Sequence, residues 1–129
     1  MDIKGRKMRV LVVEDNDFSA ELISSAIERY QVDIVRAKNG DEALELFKSS
    51  AVGEISVIFM DIIMQGMRGD DAAKLIRGLD REDAKTVKIY AATAWHQMET
   101  QSDLKDFNGI IKKPFDQEEL KNVFESMGE

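Results

Sequence analysis

The sequence predicts a doubly wound α/β domain, in which a five-stranded parallel sheet carries helices on both faces. Short apolar runs of strand type alternate with helical patterns, and the connections are long enough to join parallel strands. The apolar run at residues 57–64 contains one carboxylate, Asp61, and the four apolar residues before it predict a strand buried on both faces, as in a parallel sheet. The 129 residues are too few for a six-stranded dinucleotide-binding fold.

The predicted strands differ in apolar content. They lie at residues 8–13, 32–37, 57–60, 87–94 and 110–113. The second is the most mixed, with Asp33 and Arg36 among apolar residues, which suits an edge strand. The fifth follows a turn at Asn108-Gly109 and is closed by Pro114, the only proline.

The predicted helices follow each strand in turn. They lie at about residues 18–30, 41–47, 70–79, 98–107 and 116–127. Asn39-Gly40 predicts a turn, and Asp41 is placed to cap the second helix. The acidic pair Asp70-Asp71 suits the positive end of the dipole of the third helix. The fourth helix is mostly polar, with a thin apolar stripe.

The composition is that of a globular protein, with 43% hydrophobic and 33% charged residues. The length fits one domain, which we expect at residues 8–129 after a lead-in or linker at residues 1–7. The absence of cysteine excludes disulfides and thiolate metal sites. A net charge of −7 argues against direct binding to nucleic acid. Without an apolar signal segment or a run of transmembrane length, we expect a cytoplasmic protein with no membrane insertion.

Polar side chains lie at the carboxyl ends of four predicted strands. They are Glu14 and Asp15 at the end of the first, Asp61 at the end of the third, Thr93 at the end of the fourth and Lys113 at the end of the fifth. Doubly wound sheets bind their ligands outside these ends. Three converging carboxylates need a cation or proton between them, and an all-oxygen set favours Mg²⁺. Asp61 is then placed to accept a phosphoryl group, with Lys113 supplying positive charge.

Each of these groups also has an ordinary structural explanation. Asp61 could cap a turn, Glu14 and Asp15 could begin a solvated helix, Thr93 could be a strand-end hydroxyl, and Lys113 could be a surface lysine. Five suitable groups on four strand ends favour a functional site over five separate coincidences.

Three other protein classes fit the sequence less well. Flavin binding in a flavodoxin is rejected, because the acidic loop after the first strand would repel a phosphate. A phosphatase with an aspartate nucleophile would usually have a second carboxylate two residues later, where this chain has Ile63. A P-loop enzyme is excluded, since no P-loop motif occurs.

Four fragments in fixed order carry a family resemblance. They are Val12-Val13-Glu14-Asp15-Asn16, Met60-Asp61-Ile62-Ile63-Met64, Ala92-Thr93-Ala94 and Lys113-Pro114-Phe115. Over residues 8–127 the chain resembles a receiver domain of two-component response regulators, the CheY-like superfamily. The resemblance implies a flavodoxin-like (βα)5 fold with strand order 2-1-3-4-5.

The resemblance also implies a phosphoacceptor rather than an enzyme. Asp61 would take a phosphoryl group from a histidine kinase or a histidine phosphotransfer protein, and would lose it slowly. The metal ligands for Mg²⁺ would be Glu14, Asp15, Asp61 and the main-chain carbonyl of Ile63. The phosphoryl oxygens would be held by Thr93, the amide of Ala94 and Lys113. The Lys113–Pro114 bond would be cis.

The chain departs from the family pattern at two places. Gln65 and Gly66 loosen the loop after the acceptor, and Arg68 brings a positive charge near the site. Ile110 replaces the usual tyrosine or phenylalanine three residues before the lysine. The chain therefore lacks the aromatic side chain through which the family usually transmits the effect of phosphorylation.

Three matters stay open from sequence alone. An unphosphorylated interaction module that has kept the fold is the alternative function. A weak homodimer is compatible with the sequence. The chain is expected to be either a stand-alone regulator or a piece of a larger protein such as a hybrid sensor kinase.

Overall fold

Five strands form one parallel sheet in the order β2-β1-β3-β4-β5, in a computed structural model that describes residues 7–94 and 104–127. The strands are β1 (Arg9–Val13), β2 (Asp33–Ala37), β3 (Ile55–Met60), β4 (Lys88–Ala94) and β5 (Gly109–Lys113). The predicted fold class and strand order are confirmed. β2 forms one edge of the sheet, as its mixed sequence predicts, and β5 forms the other.

The described residues contain four α-helices. They are α1 (Asp17–Ile27), α2 (Gly40–Ser49), α3 (Gly69–Arg77) and α4 (Gln117–Glu125). Short 3₁₀ turns at Glu28–Tyr30 and Glu82–Ala84 follow α1 and α3. The helix predicted at residues 98–107 lies mostly outside the described residues. Its described part, residues 104–107, is a turn rather than a helix.

Asparagine and aspartate side chains cap three of these helices. The Asn16 side chain accepts a hydrogen bond from the amide of Ser19 at the start of α1. At the start of α4, the Asp116 side chain accepts one from the amide of Glu118. Asn39 caps α2 by accepting from the amide of Glu42 at 2.8 Å. The assignment of this cap to Asp41 was wrong, because the extended backbone of Asn39 makes it the last residue before the helix and places Asp41 in the first turn.

The central strands bury side chains on both faces of the sheet. On β3, Ile58 and Met60 pack with α2 and α3, whereas Val57 and Phe59 pack with α1 and α4. Side chains alternate along a strand with a period of two, so a strand covered on both faces is apolar throughout. This burial accounts for the continuous apolar run in the sequence.

The register of the sheet brings the predicted site residues together at the carboxyl ends of the strands. Val13, the last residue of β1, pairs with Ala37 on one side and with Met60 on the other. The amide of Asp61 continues the β1–β3 ladder by donating to the carbonyl of Val13 at 3.0 Å. The strand order reverses between β1 and β3, and this is the point where doubly wound sheets bind ligands.

Candidate functional site

Three carboxylates converge where the strand order reverses. Glu14 and Asp61 are buried, each about 4% exposed, and Asp15 is exposed beside them. Each offers an oxygen within 4.8 Å of the others. The residues that follow β1 and β3 therefore form one acidic cleft, as the sequence predicts.

Lys113 reaches into this cleft from the end of β5. Its Nζ donates to Oε2 of Glu14 and, at 3.0 Å, to Oδ2 of Asp61. The lysine side chain is only 18% exposed, so it is not an ordinary surface lysine. Its charge offsets the repulsion between the two buried carboxylates.

Main-chain amides orient the acidic groups further. The amide of Asn16 donates to Oε1 of Glu14 at 3.3 Å, and that of Ile63 donates to Oδ1 of Asp61 at 3.3 Å. The amide of Gln65 donates to Oδ2 of Asp15 at 3.2 Å. The loop after β3 thus contacts both Asp61 and Asp15. The donors are main-chain atoms, which residue types do not reveal.

The guanidinium of Arg36 contacts residues 14–17, which we call the acidic loop. Arg36 of β2 donates from Nε and Nη2 to the main-chain carbonyl of Glu14 at 3.2 and 2.8 Å. Its Nη1 donates to Oδ1 of Asp17 at 2.7 Å. From the sequence, Arg36 is expected only as a charge on an edge strand. A basic residue at the end of β2, on the strand next to the acidic loop, is the signal that could have found it.

The loop after Asp61 packs tightly against α3. The amide of Gly69 donates to the carbonyl of Ile62 at 2.9 Å. A Cβ at Gly69 would overlap the carbonyl oxygen of Asp61, so only glycine fits there. Arg68, placed near the site by the sequence, forms a bidentate ion pair with the buried Asp70 at 3.0 and 3.2 Å. Much of its charge is therefore neutralised.

The remaining predicted site residues also lie at the carboxyl ends of the strands. Thr93 is buried near the end of β4, and Ala94 pairs with Lys113 in the β4–β5 ladder. The Lys113–Pro114 peptide is cis, as the resemblance implies. Ile110, at the position where the family usually has an aromatic ring, is half-buried in β5.

Burial and charge shift two pKa values in the cleft. Burial, with a further contribution from the charge of Asp61, raises the pKa of Glu14 from 4.5 to about 7, although the hydrogen bond from Lys113 opposes the shift. Burial alone would lower the pKa of Lys113. The hydrogen bond to Glu14 and the charge of Asp61 outweigh that effect and raise it.

The pKa of Glu14 makes stability depend on pH when no metal is present. The folded protein holds the proton more tightly than the unfolded chain, because the folded value of about 7 lies above the ordinary 4.5. This stabilisation is fully present below about pH 4.5 and is lost as the pH rises to about 7. Over this pH range in EDTA, we expect the free energy of unfolding to fall by on the order of 3 kcal/mol relative to that of Glu14→Gln. Urea unfolding of both proteins across this pH range measures it. Parallel pH profiles would contradict the shift.

The donor set fits a hard divalent cation. Every side-chain donor in the acidic cluster is a carboxylate oxygen, and oxygen ligands are those that Mg²⁺ prefers. A cation there would compensate Asp15, which Lys113 does not reach in the described contacts. The chemistry of these residues therefore agrees with Mg²⁺.

Fold and cleft together define a doubly wound α/β domain with an acidic, oxygen-rich site at its switch point. The sequence profile of the response regulator receiver domain matches residues 10–125. The chain belongs to this family and is a receiver domain of two-component signalling.

Relatives and solved structures agree with this family. The chain is 32% identical to Histidine kinase 3 of Arabidopsis thaliana over an alignment, gaps included, of 136 positions that covers 90% of this chain. Its structure matches the response regulator TrrA of Thermotoga maritima in complex with Mg²⁺-BeF, with a TM-score of 0.79 and 28% identity over 93% of this chain and 98% of that one. It also matches the receiver domain of Ssk1 in co-crystals with the histidine phosphotransfer protein Ypd1 of Saccharomyces cerevisiae. That match has a TM-score of 0.72 and 31% identity over 91% of this chain and 86% of that one.

The curated relatives are much longer than the matched domain. The chain spans 13% of the length of Histidine kinase 3 and 10% of the osmolarity two-component protein SSK1. Among the helices that the structure describes, none has the length and apolar character needed to cross a bilayer.

Proposed function

We propose that this receiver domain is a cytoplasmic phosphoacceptor in a phosphorelay, and that Asp61 takes a phosphoryl group from a phosphohistidine. The observation that carries the proposal is the setting of the Asp61 carboxylate. It lies at the carboxyl end of β3, 3.0 Å from the Nζ of Lys113 and clustered with two further carboxylates. Such a carboxylate is held in place beside a fixed positive charge.

The proposed step is a displacement at phosphorus. A carboxylate oxygen of Asp61 attacks the phosphorus atom, and an O–P bond forms as the P–N bond to the donor histidine breaks. The imidazole nitrogen keeps the electron pair of the broken bond and takes up a proton from solvent. The product on this chain is an acyl phosphate, which water can later hydrolyse to restore the carboxylate.

The other predicted residues have supporting roles in this step. Lys113 would move from pairing two carboxylates to pairing a phosphoryl oxygen, which keeps its charge compensated. The hydroxyl of Thr93 and the amide of Ala94 would donate hydrogen bonds to the other phosphoryl oxygens. Mg²⁺, when bound, would neutralise charge on the transferred group. Its ligands would be Glu14, Asp15, Asp61 and the main-chain carbonyl of Ile63.

A histidine phosphotransfer protein or a histidine kinase is the proposed donor. The receiver domain of Ssk1, which matches 91% of this chain, forms a complex with a histidine phosphotransfer protein. TrrA has been crystallised with Mg²⁺-BeF. Both observations concern the relatives, and they support the same chemistry for this chain.

The test of the proposal is phosphorylation of the purified protein. Acetyl phosphate with Mg²⁺ should add one phosphoryl group, and Asp61→Asn should take up none, because an amide cannot form the acyl phosphate. Intact-mass spectrometry measures the uptake, and peptide mapping locates it. A phosphorylated histidine phosphotransfer protein should serve as donor in the same assay.

Asp71→Asn is the matched control, since Asp71 is an exposed carboxylate on α3 that lies outside the acidic cluster. It should be phosphorylated as fast as the unmodified protein. Modification at a residue other than Asp61 would overturn the mechanism. Uptake from neither donor would favour the unphosphorylated interaction module instead.

A further inference from the structure

Arg36 occupies a position that connects the sheet edge to the start of α1. Ile34, two residues earlier on β2, packs in the core cluster that contains Ile23 and Ile27 of α1. Side chains two residues apart on a strand lie on the same face of the sheet. The guanidinium of Arg36 therefore emerges beside the first turn of α1, where its side chain is 27% exposed.

The guanidinium binds both ends of the acidic loop. Two of its nitrogens donate to the carbonyl of Glu14, and the third donates to the carboxylate of Asp17. A guanidinium presents its donors in a rigid planar fork, so the three bonds together fix the distance between the two ends of the loop. An ammonium group has no comparable fork.

The carbonyl that Arg36 holds belongs to the peptide unit between Glu14 and Asp15. Because a peptide unit is planar, fixing its carbonyl also fixes the direction in which the main chain enters Asp15. Glu14 and Asp61 are held through their carboxylates by Lys113. Asp15 is exposed, and among the described residues its carboxylate accepts one hydrogen bond, from the amide of Gln65. The placement of Asp15 therefore depends on the main chain around it.

We infer that Arg36 is a positioning residue for the cation site, one that acts through the main chain to hold Asp15 toward Glu14 and Asp61. The inference rests on the proposed function, in which Asp15 is a ligand of Mg²⁺. Positioning and charge predict effects of opposite sign. A guanidinium close to a cation site repels the cation, so its charge alone would make Mg²⁺ bind more weakly. Removing it would then tighten binding.

The test is a Mg²⁺ titration of the whole chain, followed by NMR shifts of the main-chain amides. Arg36→Ala should weaken Mg²⁺ binding about tenfold, the size of effect seen when a group that orients a metal ligand is lost. Arg36→Lys keeps the charge without the fork and should give a smaller loss. Lys38→Ala is the matched control, because the exposed Lys38 acts on Asp17 through its charge. It should leave the affinity unchanged or slightly higher.

A second measurement separates positioning from general damage. At saturating Mg²⁺, Arg36→Ala should be phosphorylated by acetyl phosphate at the rate of the unmodified protein, because the defect lies in binding the cation. An affinity for Mg²⁺ equal to or tighter than that of the unmodified protein would overturn the inference. Should Arg36→Ala fail to fold by circular dichroism, an unchanged affinity in Arg36→Lys would overturn it equally. Failure of the proposed function looks different, since the unmodified chain would then bind Mg²⁺ but take no phosphoryl group.

Discussion

Replacing Lys113 by methionine is expected to lower the free energy of unfolding by about 3 kcal/mol in EDTA at about pH 8. The substitution leaves Glu14 and Asp61 buried without the cation that both contact. At about pH 6 the loss should be smaller, because the raised pKa of Glu14 allows this carboxyl to take up a proton instead. Urea unfolding at the two pH values measures the difference.

Two comparisons make this prediction specific. Lys121→Met removes an exposed lysine of α4 and should change the free energy of unfolding by less than about 0.5 kcal/mol. Adding Glu14→Gln to Lys113→Met should restore part of the stability, because it removes one of the two uncompensated charges. If Lys113→Met were as stable as the unmodified protein at both pH values, the ion pairs would contribute nothing net.

Gly69→Ala is expected to destabilise the protein by about 3 kcal/mol and to slow phosphorylation of Asp61. The new Cβ would lie 2.9 Å from the Cα of Ile62 and would overlap the carbonyl oxygen of Asp61, both main-chain atoms that cannot turn aside. The loop must then move away from α3, and the acceptor must move with it. Thermal melts and acetyl phosphate assays measure the two effects.

Gly78→Ala is the control at the other end of α3, directly after its last residue. Gly78 has φ −83°, and its nearest heavy atom would be 3.5 Å from an added Cβ, which is ordinary contact. This substitution should be neutral or should stabilise the protein by a few tenths of a kcal/mol, since alanine restricts the unfolded chain. Equal behaviour of the two alanine variants would show that the close approach at Gly69 has no energetic consequence.

The fold could be predicted because its signals lie in local sequence patterns. The apolar run of β3 and the mixed sequence of β2 reflect burial on two faces and an edge position, which depend on side-chain type alone. The capping of α2 was less accessible. Asn39 and Asp41 are both good capping residues, and only the backbone dihedrals show which of them precedes the helix.

The candidate site could be predicted as a set of residues but not as a set of contacts. The positions of Glu14, Asp61 and Lys113 at predicted strand ends indicate that they meet, because parallel strands have their carboxyl ends on the same side of the sheet. That Lys113 contacts both buried carboxylates, and that Arg36 holds a carbonyl, depends on side-chain rotamers and on the loop conformation. The position of Arg36 on the strand next to the acidic loop indicates that the two are close, but neither contact follows from residue spacing alone.

The two edge strands also bear on how copies of this chain can associate. An edge strand offers unpaired main-chain groups to a strand of another molecule, and charged side chains oppose such pairing. β2 carries Asp33 and Arg36 at one edge, and β5 carries the exposed Lys112 at the other. Extension of the sheet from one copy into the next is therefore disfavoured. Any homodimer of this domain is expected to form through helix surfaces, and to leave both edges of the sheet in solvent.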